Sequence, residues 1–522
     1  MSLLAQSASA DQAPISIDGI FADWSDSTPA AIDPKGDNNS AIDFTSLSIA
    51  DDELFLFLQF ETTSAFDLSE NNDLILLLDT DMDASTGFTY GGIGAELAWF
   101  LGDREGLFYH DGSSVSVYQG DIRFRAGPTV ESTVFEIAVG RNTLPDDTNP
   151  LFTGSEIRVL LVDGIGGDAI PDIGNTLTYT LDVGQVDPVD PLPIARTNLN
   201  NLRIMTHNVY VDYLFDKGQQ SRFQRLYTAV APDILHLQEI YDNTPEQTRD
   251  LLTSWFGGQW YAAGVNDCQT ISRFPILGAW AIDLNLAVLI DTTSKIGSNM
   301  LCINAHLPCC SNDDGRQAES DAIAAFIRDA YLPGGVLSLD SDVPVLIAGD
   351  LNMVGSARQL ETLITGDIMD NFTHGPDAPL DTDGSDLTSI VPRQTEKRMG
   401  YTWRWDSSSF WPGHLDFLIY SDSILQRRHE YAICTLEMSA KALAKNGLYT
   451  YDSSCSDHLV FCVDFAPPCI ADLDHTGTVD VSDVLQLIAA WGTASEPEDL
   501  DDDGVVGVND LLLVIAAWGA CP

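Results

Sequence analysis

Val343-Pro344-Val345-Leu346-Ile347-Ala348-Gly349-Asp350-Leu351-Asn352 is an apolar run that stops on two polar side chains spaced by one residue. Its length and β-branched content predict a strand buried on both faces, which belongs in a layered αβ domain. Four other runs share the design. Leu202-Arg203-Ile204-Met205-Thr206-His207-Asn208-Val209-Tyr210 ends on Asn208, and Asp233-Ile234-Leu235-His236-Leu237-Gln238-Glu239 ends on Glu239. Asn304-Ala305-His306-Leu307-Pro308 carries His306, and His414-Leu415-Asp416-Phe417-Leu418-Ile419-Tyr420 carries Asp416. Ser456-Asp457-His458 follows, and a helical pattern over Arg316 to Ala330 interleaves with the strands. Five strand ends therefore present polar groups where αβ domains usually place their chemistry.

The set suits phosphodiester hydrolysis. That reaction needs hard oxygen ligands for Mg²⁺ or Mn²⁺, neutral donors to phosphoryl oxygens, and a histidine held by a carboxylate to take a proton from water. His207 and His236 fall on the opposite strand face by period-two counting and read as structural. The acidic run Asp381, Asp383, Asp386 reads as a solvated loop, with a second cation site as the other reading.

In order, these motifs (Asn; Gln-Glu; His-x-Pro; Gly-Asp-x-Asn; Leu-Asp; Ser-Asp-His) resemble the endonuclease/exonuclease/phosphatase superfamily, which includes DNase I-like nucleases, inositol phosphatases and bacterial sphingomyelinases. The resemblance covers about 201–465. It implies an α+β four-layer domain over 200–466 with two packed sheets. It also implies Glu239 as main metal ligand with Asn208 and Asp457 nearby, and His458 as general base oriented by Asp416. Asp350 and Asn352 would position water and phosphate, and His306 would stabilise developing charge or assist the leaving group. The substrate would be a phosphoester of nucleic acid or of a phospholipid headgroup. The stretches 205–210 and 415–421 look closer to the sphingomyelinase branch. Trp403, Trp405, Phe410 and Trp411 could stack bases or pack internally, packing being the reading taken. Cys309 and Cys310 are expected in disulfides to other strands. A rival reading from another class is a non-catalytic surface adhesion or scaffold protein built on the flanking modules.

Upstream, residues 15–186 alternate short apolar runs with turn clusters, the rhythm of an all-β sandwich. Ile15 to Trp24 with Asp79 to Gly87 resembles carbohydrate-binding sandwiches of the family-9 or DOMON-like kind, which implies a carbohydrate partner. The Asp79–Gly87 loop could hold calcium or be a solvated turn. Trp99, Arg104 and Tyr109 could line a sugar site, although core packing is the safer reading. Prolines 188, 191 and 193 make 187–199 an extended spacer, and Pro467-Pro468 marks a second joint.

Downstream, Asp472–Gly492 realigns with Asp499–Gly519 at an offset of 27. Each copy spaces oxygen ligands as a twelve-residue calcium loop does: Asp472, Asp474, Thr476, Asp480 and Asp483, then Asp499, Asp501, Asp503 and Asp510. With the entry helix of an EF-hand missing, residues 469–522 resemble a small α dockerin module with a double calcium loop-helix. That implies Ca²⁺ binding, a cohesin-like or cell-surface partner, and Cys469 with Cys521 clasping its ends. The repeated Ala-Ala-Trp-Gly helix ends could be partner face or core, core being preferred.

The formal charge is −53, with nets of −26, −16 and −11 for residues 1–199, 200–465 and 466–522. No basic face is evident, which disfavours tight sequence-independent binding of duplex DNA. Nine cysteines fit an oxidising compartment. Residues 1–14 read as a residual, disordered leader, so a secreted or cell-surface location is expected. No apolar run reaches the roughly 20 residues that cross a bilayer.

Overall fold

The computed structural model describes residues 5–8, 14–25, 27–38, 40–182, 189–466, 469–474, 476–494, 497–501 and 503–521. Parts of the leader and spacer, and both residues of the Pro467-Pro468 joint, lie outside them. No helix among the described residues is long and apolar enough to cross a membrane.

The runs 54–58, 74–78 and 157–161 are strands of a two-sheet β-sandwich. One sheet centres on Glu156–Asp163, Leu74–Asp79 and Leu97–Phe100, the other on Ser132–Gly140, Phe55–Phe66 and Phe44–Asp51. Alternation buries Phe44, Phe60, Leu76, Trp99, Phe135 and Leu161 in one core between them. One expectation changes here. Ala5–Ala8 forms an edge strand parallel to Thr176–Thr180 rather than a disordered remnant. As the packing reading expects, Trp99 is wholly buried, and Arg104 stacks over Phe410 at 4.0 Å.

The middle domain has two six-stranded sheets. The strands that matter for the site are β1 (Leu202–Asn208), β2 (Ile234–Gln238), β3 (Met300–His306), β4 (Val345–Asp350), β5 (Asp416–Tyr420) and β6 (Val460–Ala466). β1 lies between β2, parallel, and β6, antiparallel, in the first sheet. β4 lies between β3, parallel, and β5, antiparallel, in the second. Apolar side chains of both sheets meet face to face, among them Ile204, Ile234, Val288, Leu346, Leu418 and Val463. Helices cover the outer faces. Gln220–Val230 and Pro245–Phe256 pack on the first sheet, and Asp313–Ala330 and Arg358–Thr365 on the second. This is the expected layering of two packed sheets between helices.

The proline-rich spacer is extended but docked. Ile194 is buried in the middle domain, its carbonyl accepting from Arg203 at 2.8 Å and from Tyr431 at 3.0 Å. The sandwich is docked as well: Ile17, Trp24, Phe55 and Phe57 share a buried cluster with Met399, Tyr401, Cys434 and Leu459.

The tail carries helices Val481–Ala489 and Val508–Ala516 over a small core of Leu473, Val479, Leu487, Val506 and Val514. Cys469 and Cys521 form a disulfide. Trp491 and Trp518 are 44% and 53% exposed, so the repeated helix ends are surface rather than core. The other seven cysteines are free thiols, which corrects the expected pairing of Cys309 and Cys310.

Candidate active site

Register brings the polar strand ends together. Asn208 pairs with Gln238, so Glu239 projects one residue beyond the first sheet. Asp350 pairs with both His306 and Asp416 in the second. The parallel contact is close because Gly349 has no side chain, and a Cβ there would stand 1.9 Å from the carbonyl oxygen of Ala305. Across the gap, the Asn208 amide donates to Glu239 Oε1 and to Asp350 Oδ2, each at 3.0 Å. One amide thus sets the spacing of two carboxylates that come from different sheets.

The backbone is held in unusual conformations around these groups. Glu239 and Asn352 have φ of 62° and 49°, and Tyr210, Val211 and Asp212 have 52°, 47° and 62° in succession. Left-handed backbone is costly for a β-branched residue such as Val211, and such strain concentrates at functional sites. Here it turns the Val211 N–H onto Glu239 Oε2 at 2.8 Å, fixing the carboxylate.

His458 lies between two carboxylates, with Nδ1 2.8 Å from Asp416 Oδ2 and Nε2 3.4 Å from Asp350 Oδ2. Burial works to lower its proton affinity, but Asp416 and Asp350 outweigh burial and push it up to about 10. Burial raises Asp416, while the His458 ring beside it favours the carboxylate. The Ser456 hydroxyl donates to the Asn208 carbonyl and accepts from the His458 N–H, which ties this loop to the end of β1. Asp350, Asp416 and His458 lie close enough to hold a metal together. With both ring nitrogens directed at carboxylates, a proton relay describes the trio better.

His306 has the same construction from a residue that the motifs do not mark. Its Nδ1 is 2.6 Å from Asp267 Oδ2, which also accepts the Glu239 N–H at 3.1 Å. Burial opposes charge on His306, while Asp267, Asp350 and Glu239 push it up to about 9. Asp267 sits in the tight turn joining Tyr261–Val265 to Cys268–Ser272, where an aspartate reads as turn chemistry. Only its deep burial distinguishes it. Asn352 donates from its side chain to the Leu307 carbonyl at 3.0 Å and closes the β4 turn on Asp350.

Asp457 faces outward from this group. Its carboxylate accepts the Trp403 indole N–H at 3.0 Å and lines a cavity of about 440 Å³ with Tyr210, Tyr213, Arg404 and Trp405. Tyr210 stands edge-on to Trp405 with centroids 5.3 Å apart. Trp403 and Trp405 are thus part of the site's surroundings, while Trp411 packs against Phe124 of the sandwich. His236 is buried away from the site on Thr270, whereas His207 is buried behind it, between the Tyr227 hydroxyl and the His458 carbonyl. Of the acidic run, Asp383 and Asp386 are exposed as expected, but Asp381 is buried and satisfied by Thr382 and Ser423.

For a divalent cation, the fit lies in the donor set. Glu239 and Asp350 are hard carboxylate ligands held together by the Asn208 Nδ2 at the mouth of the sheets, with negative charge in excess, while the Asn208 amide oxygen accepts the Tyr210 N–H at 3.0 Å. In the tail, carboxylate oxygens of Asp472, Asp474 and Asp483 lie within 4.8 Å of one another. Asp480 instead caps the following helix through the Ser482 N–H, and the Thr476 hydroxyl donates to the Thr478 carbonyl. In the second loop Asp499 accepts the Gly504 N–H, Asp501 the Asp503 N–H, Asp503 the Val505 N–H, and Asp510 the Leu500 and Gly507 N–H groups.

Residues 205–458 match the Endonuclease/Exonuclease/phosphatase family. The matched segment contains every motif named above, and it is a phosphoester hydrolase domain. Among solved structures, the chain is similar to D. rerio TDP2 complexed with single-strand DNA product, at 17% identity over 51% of this chain and 98% of that one, TM-score 0.33. It is similar to ANGEL2, a 2′,3′-cyclic phosphatase, at 15% identity over 51% and 96%, TM-score 0.35. It is also similar to a Staphylococcus aureus beta toxin, at 16% identity over 50% and 99%, TM-score 0.31. No curated protein matches the chain.

Proposed function

We propose that this phosphoester hydrolase domain is a divalent-metal-dependent phosphodiesterase, acting outside the cell on a nucleic-acid or phospholipid-headgroup phosphoester. The observation that carries the reading is the single Asn208 amide spanning Glu239 and Asp350, with a carboxylate-held histidine on either side of Asp350. Glu239, Asp350 and Asn208 would hold Mg²⁺ or Mn²⁺, which supplies Lewis-acid stabilisation of phosphoryl charge. Asp457 would contribute from the side of the aromatic cavity. In its neutral form, His458 takes the proton of the attacking water at Nε2 while Asp416 holds Nδ1–H. Asp350 and Asn352 orient water and phosphate. His306, kept protonated by Asp267, donates to the phosphoryl or leaving-group oxygen. The aromatic cavity receives the part of the substrate beyond the phosphate.

Metal-loaded protein should hydrolyse bis-p-nitrophenyl phosphate, EDTA should stop it, and His458→Ala should lower turnover by about 10²–10⁴-fold. Undiminished turnover in His458→Ala would sink the assignment. A panel of single-stranded DNA, RNA, sphingomyelin and phosphomonoesters sorts the substrate. Inactivity across that panel would favour the adhesion reading.

The tail, with its paired acidic loops and exposed helix faces, fits a dockerin-like calcium module that docks to a cohesin-like or cell-surface partner. Carbohydrate remains the ligand class suggested for the sandwich by the Ile15–Trp24 and Asp79–Gly87 resemblance.

A further inference from the structure

We propose that the β-sandwich binds one divalent cation of calcium size between Asp33, Asp37 and Asp168, and that this ion ties the two sheets together. One carboxylate oxygen from each residue lies within 4.8 Å of the others. Calcium takes oxygens at roughly 2.3–2.6 Å, so ligands on opposite sides of one ion are about 5 Å apart, and three oxygens so spaced fit one coordination sphere.

A second observation points to a ligand. Asp33 is only 4% exposed, and its Oδ2 is buried without a hydrogen-bond partner among the described residues. A carboxylate oxygen taken from water with nothing in exchange is costly. The charge is uncompensated as well. Burial, then Asp168, Asp37, Asp172 and Asp43, push Asp33 up to about 7. Elsewhere in the domain Arg141 and Arg158 pair with Asp51 and Asp79, but among the described residues no ion pair reaches Asp33, Asp37 or Asp168.

The surroundings are built to hold the cluster. Asp168 accepts the Phe44 N–H at 2.8 Å and the Ala169 N–H at 2.9 Å, and Asp43 accepts the Gly36 N–H at 2.9 Å. Asp33 follows Ala31–Ile32 of the five-stranded sheet, whereas Asp168 precedes Ala169–Ile170 of the eight-stranded one. An ion between them therefore joins opposite layers. The all-oxygen donor set with three acidic groups selects a hard cation. Asp79, Asp81 and Glu96 also bring carboxylate oxygens within 4.8 Å of one another, but each of these groups is engaged by the protein, Asp81 by the Asp83 N–H. Asp79 takes Arg158 and the Met82 N–H, and Glu96 takes the Thr80 and Asp81 N–H groups.

The test counts calcium bound to the full chain by equilibrium dialysis after EDTA treatment, for wild type, Asp33→Asn and Asp37→Asn. The catalytic site and tail are intact in all three, so their ions are a constant background. Each variant should bind one ion fewer per chain, and calcium should raise the Tm of wild type by more than that of either variant. In calcium-free buffer, Asp33→Asn should be at least as stable as wild type, because the amide removes one of the repelling charges. That separates a lost ion from a lost fold. Equal stoichiometry in wild type and both folded variants would overturn the proposal. So would an Asp33→Asn protein less stable than wild type without calcium, which would make Asp33 an ordinary structural acceptor.

Discussion

The contrast between His458 and His236 shows how little a residue type says without its neighbours. Both rings are buried, yet His458 faces two carboxylates and is pushed up to about 10, whereas desolvation alone lowers His236 to about 3. Only a neutral His458 can accept a proton from water. Asp416 raises its proton affinity, so Asp416→Asn should move the acid limb of the pH–rate profile to lower pH while lowering kcat. A limb that stays in place would remove His458 as the titrating base. In the sequence Glu239, Asp350, Asn352, Asp457 and His458 were legible from strand-end placement together with the ordered motifs, whereas Asn208, His306 and Asp416 leaned more on the resemblance. Asp267 was not legible, because a turn aspartate and a histidine-orienting aspartate look alike until distant chain segments meet. Asp457 was legible as a polar strand-end neighbour but not as a group bound to an indole, since Trp403 reaches it through an isolated bridge.

At the scale of elements, the apolar run before Asp350 predicted a buried strand, and the strand is there because both of its faces are covered by apolar side chains. Gly349 is the position on which its pairing with β3 depends. With φ of 152° and the Ala305 carbonyl oxygen 1.9 Å from where a Cβ would stand, Gly349→Ala cannot be accommodated without parting β3 from β4. It should cost about 3 kcal/mol or more, measured as a shift in the denaturant midpoint, and should lower activity by displacing His306 from Asp350. A wild-type midpoint would show that the strands have slack at this point. The exposed tryptophans of the tail illustrate the opposite failure of sequence reading. Helical periodicity alone does not say which stripe faces inward when a helix of nine residues packs on a core as small as that of the tail.

On the scale of the whole molecule, the three segments were legible from composition and repeats, but their mutual attachment was not. Residues 187–199 read as a spacer because proline resists regular structure, yet Leu192 donates its N–H to the Thr395 carbonyl and Ile194 is buried. The sandwich also reaches the catalytic loops: Thr129 donates to the Met353 carbonyl at 2.7 Å, and Glu131 to the Gly355 carbonyl at 2.6 Å. These contacts lie just beyond Asn352.

The cluster that Ile17, Trp24 and Phe57 share with Met399, Tyr401 and Leu459 has a calorimetric consequence. Melting either partner would expose the apolar surface of the other, so the first two domains should absorb heat as one cooperative unit. The tail has a separate core and disulfide, and it should melt apart from them. Differential scanning calorimetry should therefore record two endotherms from a chain of three domains, and three would mean that the shared cluster does not couple the unfolding of its two sides.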